Sequence, residues 1–436
     1  MNPLISFFVP SVFVPSVFIP SVFIPSVFIP SVLIPGLLLP VAAFAAEAPA
    51  SGSSDLAQVA QDNNAFAIAL YGQLRHQSGN LFFSPESISA VLAMTYAGAR
   101  GDTAAEMAKI LHFTLPPERL HSAMGALLRD RNAAHDGYQS KEADALWVQT
   151  GYALLPEFLK LNEDSYSAGL KQLDFKSATE ASRQTINQWV EQQTGNKIRE
   201  LLQPGNVNSD TRLVLTNAIY FNANWAMPFK KENTKDEDFR ISATQTIKTP
   251  LMHMSKSFKY CDGGSFQALE IPYWQSNLSM IVLLPKDTDG LSALERSLTP
   301  FTIRQILPRL SPAATVALTL PKFKMEVQFK LADTLTAMGV KEAFDWKKAD
   351  FSGVASRETM QRDGNLFIGA VIHKADVDVN EEGTEAAAAT GVVFFGAALR
   401  PPPPIIFRAD HPFMFLIRDN RSDSILFLGR VTDPSK

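Results

Sequence analysis

Catalysis at neutral pH would have to be assembled from seven histidines (His76, His112, His121, His135, His253, His373 and His411) and one cysteine, Cys261. They are scattered along the chain. No His-Glu-x-x-His, Gly-x-Ser-x-Gly, phosphate-binding loop or Cys-x-x-Cys pattern occurs. Asp287-Thr288-Asp289-Gly290 starts like a calcium loop, but the rest of the ligand spacing is missing, and the residues read as a turn after a strand. Cys261 has no supporting pattern around it and reads as a structural thiol. The chain is not read as an enzyme, and no cofactor or metal is implied.

The unusual residues lie at 381–390, and what they could do is backbone chemistry. Val377-Asp378-Val379-Asn380 alternates like a strand and runs into Glu381-Glu382-Gly383-Thr384-Glu385-Ala386-Ala387-Ala388-Ala389-Thr390. Four successive alanines would suit an exposed helix. Laid down as a strand, the segment places Thr384, Ala386, Ala388, Thr390 and Val392 on one face and Glu385, Ala387, Ala389 and Gly391 on the other. The first face carries no charge and is small near Gly383, a hinge-capable residue. Such a segment can enter between two existing strands without desolvating a charge, while Glu385 stays in water. A charged or bulky residue on that face would obstruct entry.

That reading needs a sheet to enter. Leu213–Phe221 (from Arg212), Leu278–Leu284 stopped by Pro285, and Val316–Leu320 running into Pro321-Lys322-Phe323 read as strands. Phe413–Ile417 and Ile425–Gly429 flank Asp419-Asn420-Arg421-Ser422 as a hairpin. Ala65–Leu74 has helical spacing, and Asn80–Phe83 is a short strand. Ser84 and Pro85 then sit as N-cap and first-turn proline of a helix carrying Ile88, Leu92 and Met94. After Gly98 and Gly101, Thr103 and Glu106 have the spacing of a capping box. Helices concentrate early and strands late, which predicts an α+β fold with mixed sheets.

At 436 residues, 46% hydrophobic and 19% charged, the chain can bury a large core. A net charge of −4 with interspersed signs gives no footprint for nucleic acid. One cysteine excludes an internal disulfide. Three segments are expected: 1–46, 47–55 as a small polar linker, and 56–436 as one domain. The first carries a five-residue repeat with Pro10, Pro15, Pro20, Pro25, Pro30 and Pro35 in step, which opposes a stable membrane-spanning helix. It ends in an apolar run and Ala43-x-Ala45, like an export signal with its cleavage site, although no Lys or Arg precedes Arg75. The preferred reading is an export signal lengthened by repeat expansion; the alternative is a start codon further inside the repeat. Export predicts a secreted, extracellular or periplasmic protein.

The hinge segment closely resembles the reactive-loop hinge of inhibitory serpins. Further motifs follow in family order: Asn80-x-Phe82-x-Ser84-Pro85-x-Ser87-Ile88, Gly98-Ala99-x-Gly101-x-Thr103, Leu215-x-Asn217-x-Ile219-Tyr220-Phe221, Trp225, Leu320-Pro321-Lys322-Phe323, Asp350-Phe351-Ser352-Gly353, His373-Lys374-Ala375 and Phe407–Phe413. The resemblance, taken as to a bacterial secreted member, implies three sheets, eight or nine helices and a metastable state with an exposed loop at about 381–404. It also implies a suicide-type mechanism, in which a serine protease cuts the loop and the cut loop inserts as a central strand before the acyl-enzyme is hydrolysed. It puts Ser84, Ser87, Asn217 and His373 in a polar shutter beneath the opening sheet, and Trp225 where the loop first enters. His373 and Trp225 also suit ordinary core roles, as a satisfied histidine and a buried aromatic.

Family spacing counted from Glu381 puts the scissile bond at Ala397–Ala398, and counting back from Phe407 gives Leu399–Arg400. Pro401 after Arg400 disfavours a trypsin-like target. Ala397, the preferred site, suits an elastase-like or subtilisin-like protease, and Leu399 a chymotrypsin-like one. The chain is expected to act as a monomer. The alternative function is a non-inhibitory serpin serving as carrier, chaperone or structural protein, whose mark would be a bulky or charged residue on the inserting face. None occurs between Thr384 and Thr390 on that face, although Phe394 and Phe395 follow.

Overall fold

Phe413–Asp419 and Ile425–Val431 are buried along their whole length, as expected of continuous apolar strands covered on both faces. They pair antiparallel with Phe413 opposite Val431, forming the anticipated hairpin. This hairpin lies in a seven-stranded sheet that also holds Leu81–Phe83 and Leu278–Pro285. The computed structural model describes residues 51–133, 137–166, 169–313, 315–383 and 403–436. The described residues form one unit.

A second, central sheet holds the strand that runs into Asn380 and Glu381. It comprises β1 (Tyr138–Gln149), β2 (Gly169–Leu173), β3 (Leu213–Ala223), β4 (Phe323–Lys330) and β5 (Ile368–Val379), in the order β4-β5-β3-β1-β2. β4 and β1 run antiparallel to β5 and β3 respectively, but the neighbouring strands β5 and β3 are parallel. A four-stranded sheet completes the set: Ile405–Arg408, Val316–Pro321, Thr246–Lys256 and Lys235–Arg240. The chain leaves Val316–Pro321 and enters β4 through Lys322, so this lysine stands at the corner between two sheets. Among the described residues the fold is α+β with three sheets, as expected.

Beneath the central sheet runs the Pro85–Tyr96 helix, buried from Pro85 to Thr95. Ser84 caps it by accepting a hydrogen bond from Ser87 N, with Pro85 in the first turn. A helix buried on all faces is normally apolar throughout. Here Glu86, Ser87 and Ser89 are buried too, and a buried polar group is costly without a partner.

One local expectation differs from the structure. Thr103 and Glu106 do not form a capping box, because Gly101, at φ +54°, starts the helix earlier. Instead Thr103 Oγ1 accepts from Asp350 N at 3.0 Å, and Glu106 accepts from Lys341 N and Glu342 N at 2.7 and 2.8 Å. The opening helix spans Ser51–Leu74, reaching into the segment expected as linker; Arg119 pairs with Asp55 in its second turn. Ten α-helices occur among the described residues, since short segments such as Arg357–Asp363 count separately. Gly290 N donates to Asp287 O at 2.9 Å, closing the turn after Leu278–Pro285. Cys261 is buried.

Candidate functional site

At the end of β5 the chain reverses in a tight turn. Asn380 N donates to Gly383 O at 2.9 Å and Gly383 N to Asn380 O at 3.3 Å, with Glu381 and Glu382 at the tip. Gly383 then bridges antiparallel to Asn224, just beyond the end of β3. The direct register between β5 and β3 runs as far as Asp376 opposite Tyr220. The reversed chain at Gly383 thus arrives at the mouth between the two parallel strands, pointing back along them. Its φ is +131°, and a β-carbon there would lie 2.3 Å from Ala223 O and 2.6 Å from Asn224 Cα and Trp225 N. Only glycine fits that approach.

The mouth is built to hold this turn. Trp225 is buried, stacks on Tyr273 with ring centroids 4.7 Å apart, and donates from Nε1 to Asn380 O at 3.0 Å. Its backbone N donates to Glu382 O at 3.0 Å, and Phe229 N to Glu381 O at 2.8 Å. The Glu381 carboxylate is buried between Lys322 Nζ and Thr234 Oγ1, each at 2.8 Å. Burial pushes its pKa up, but the Lys322 and Thr234 hydrogen bonds outweigh it and hold the group below its ordinary value. Glu382 pairs with Lys231 at 2.8 Å on the exposed side.

Lower in the gap lies a row of polar side chains. Sheet register puts His373 opposite Asn217, and Asn217 opposite Asp144. Ser84, Ser87, Asn217 and His373 are completely buried. Ser84 N can only donate, and it lies 3.2 Å from His373 Nε2. Nε2 therefore accepts, the ring proton sits on Nδ1, and Nδ1–H donates to Asn217 Oδ1. Asn217 Nδ2 in turn donates to Ser87 Oγ and to Asp144, and Ser87 Oγ donates to Asp144 at 3.2 Å. The four predicted shutter residues form one connected network spanning β3, β5 and the helix beneath.

Burial pushes His373 down to about 3, so the ring is neutral. Asp144 moves the other way. Desolvation, reinforced by Glu142, raises it well above the ordinary carboxylate range against the pull of Arg131 and its hydrogen bonds.

Sequence reading missed Asp144, Thr234 and Phe229, and Asn380 entered it only as the end of a strand. Lys322 entered it only as part of a motif. Asp144 stands 57 residues from Ser87 and 73 from Asn217, and no local pattern marks it. Thr384, Ala386, Ala388 and Thr390 of the hinge face, and Ala397, Ala398, Leu399 and Arg400 around the two candidate bonds, lie outside the described residues, as does segment 1–46. Among the described residues no group of three or more His, Cys, Asp or Glu side chains could hold a metal ion, and no helix is long and apolar enough to cross a membrane.

The arrangement is a sheet with a parallel central pair, a reversed chain at its mouth and a hydrogen-bonded polar row tying the pair together. Residues 61–434 match the family model described as Serpin (serine protease inhibitor). The leukocyte elastase inhibitor of Bos taurus is 43% identical over 386 residues, covering 86% of this chain and all of the relative. Human thyroxine-binding globulin, solved in complex with thyroxine, superposes with a TM-score of 0.78 at 30% identity, covering 88% of this chain and 100% of that one. Serpin48 of Tenebrio molitor does so with a TM-score of 0.75 at 34% identity, covering 86% and 98%. With that family match over residues 61–434 and these relatives, this chain belongs to the serpins.

Proposed function

We propose that the chain is an exported, monomeric suicide-type inhibitor of serine proteases. In this reading a protease attacks the loop at Ala397–Ala398, and the released segment from Thr384 enters between β5 and β3 before the acyl-enzyme is hydrolysed. The observation that carries the reading is the reversal at Gly383, which points the chain antiparallel into the gap between two parallel strands. Insertion replaces one parallel ladder by two antiparallel ones, a pairing that is more stable per residue and satisfies a new row of backbone groups. The uncharged alternation of Thr384, Ala386, Ala388 and Thr390 suits burial on the sheet's inner face. An elastase-like or subtilisin-like target accords with the small Ala397 and with the names of the bovine and human relatives.

The chain is incubated with elastase, subtilisin, chymotrypsin and trypsin and run on denaturing gels. A complex that survives SDS is expected with elastase or subtilisin, and mass spectrometry of the released C-terminal peptide identifies the bond. Cleavage by all four without a complex would favour the non-inhibitory reading. Thr384→Arg puts a charge on the inserting face and is expected to turn the inhibitor into a substrate, cut at the wild-type rate. Export is tested separately, by N-terminal sequencing of the mature protein recovered outside the producing cell.

A further inference from the structure

Arg131 lies in the last turn of the Pro117–Asn132 helix and is buried. Its guanidinium forks between two carboxylates, Nη1 to Glu86 and Nη2 to Glu142. Glu86 is completely buried and takes a further hydrogen bond from Ser424 Oγ. Both carboxylates adjoin the polar row. Glu86 precedes Ser87 in the first turn of the buried helix, and Glu142 lies two residues before Asp144, on the same face of β1. The triad therefore joins helix to strand one step away from Ser87, Asp144 and Asn217.

β1 and β3 share eleven registered pairs, from Tyr138–Ala223 to Val148–Leu213. They form one bank of the gap and must shift together when it widens. The other bank, β5, is tied to the same helix end through His373 and Ser84 N. Apolar contacts between a helix and a sheet are non-directional and tolerate a small slide. A forked ion pair does not, because a shift of about an ångström breaks charge-assisted hydrogen bonds and leaves desolvated charges unpaired. Against well-packed apolar side chains, such a buried triad adds little net stability. What it adds is a fixed position.

We propose that Arg131, with Glu86 and Glu142, is a latch that fixes the β1–β3 bank to the buried helix and sets how readily the gap between β3 and β5 opens. This rests on the loop-insertion reading above. Arg131 is a positioning residue in that process, acting through the neighbours of Ser87 and Asp144.

Uptake of a synthetic peptide of sequence 384–393 by the uncut full-length chain, followed on native gels, reads gap opening without a protease. The triple variant Glu86→Leu, Arg131→Met, Glu142→Leu replaces the triad by apolar side chains of comparable bulk. It is expected to take up peptide about tenfold faster than wild type, a barrier change small enough for one latch, with the thermal midpoint of the uncut chain lowered only by the loss of the Ser424 hydrogen bond to Glu86. Arg131→Lys keeps the charge but cannot fork to both carboxylates; its uptake is expected to fall between the two, and it serves if the triple variant does not fold. Wild-type uptake rates in whichever variant folds overturn the latch, as does a shifted midpoint with unchanged uptake, or failure of both variants to fold. If the wild type takes up peptide but traps no protease, the inhibitory reading falls while the latch is still decided by the variant rates. If no variant takes up peptide, both fall.

Discussion

A β-carbon at position 383 would collide with backbone atoms of Ala223, Asn224 and Trp225, which cannot swing aside as a side chain would. Gly383→Ala is therefore expected to expel the turn from the mouth or strain it, at a cost of about 1–3 kcal/mol. Thermal unfolding of the uncut variant checks this, and an unchanged midpoint would mean that the approach of Gly383 to Asn224 is not held in solution. The sequence marked this glycine as a hinge and the alternating face beyond it as insertable. It could not reveal that Glu381 is buried against Lys322 and Thr234, since those partners lie on a sheet corner and a loop 59 and 147 positions away. Arg131, Glu86 and Glu142 were equally silent. Read locally they are ordinary charged residues on a helix, a helix start and a strand.

The Pro85–Tyr96 helix holds both banks of the central gap from its first turn, and this makes its hold dependent on pH. His373 must stay neutral, because protonated Nε2 would face the donor Ser84 N. Its folded pKa of about 3 lies below the unfolded value of 6.5. The resulting stability is fully present above about pH 6.5 and is lost as pH falls from there toward 3, by at most about 1.4 kcal/mol per unit. Burial lowers His121 to about 4, with the same sign. Asp144 is raised, so its contribution is present below its unfolded pKa and fades as pH rises through the folded one, partly offsetting the histidines. The uncut wild type is expected to lose stability between pH 6.5 and 5, and His373→Gln to lose it less steeply. Equal slopes in denaturant titrations would remove His373 from the account. At this scale strands and the C-terminal hairpin were legible, because continuous apolar runs have few other uses. The Thr103–Glu106 cap was not, because tertiary partners at Asp350, Lys341 and Glu342 claimed both side chains.

For the whole molecule, under the proposed insertion mechanism the parallel β5–β3 pair makes the uncut state one that a further strand would improve. Its register spans Ile368–Leu213 to Asp376–Tyr220, long enough to receive roughly eight to ten residues of inserted strand at one residue per ladder position. At about 1 kcal/mol net for each new backbone hydrogen bond, the inserted form gains on the order of 10 kcal/mol before the ordering of the loop is subtracted. In that mechanism the uncut fold persists because the His373–Asn217–Asp144 row and the contacts at the mouth must break before the ladder can open, which would make its lifetime a matter of rate. A gain of that size moves the unfolding midpoint of a large domain by on the order of 10 °C. Cutting the loop by limited proteolysis, without removing the C-terminal peptide, is therefore expected to raise the thermal midpoint, by up to about that amount once loop ordering is subtracted. The same cut in Thr384→Arg is expected to leave it near the uncut value, since a charge then faces the sheet interior. A wild-type chain whose midpoint stays level or drops on cleavage would have a loop that remains outside the sheet, and the parallel pair would be a resting arrangement with no stored drive.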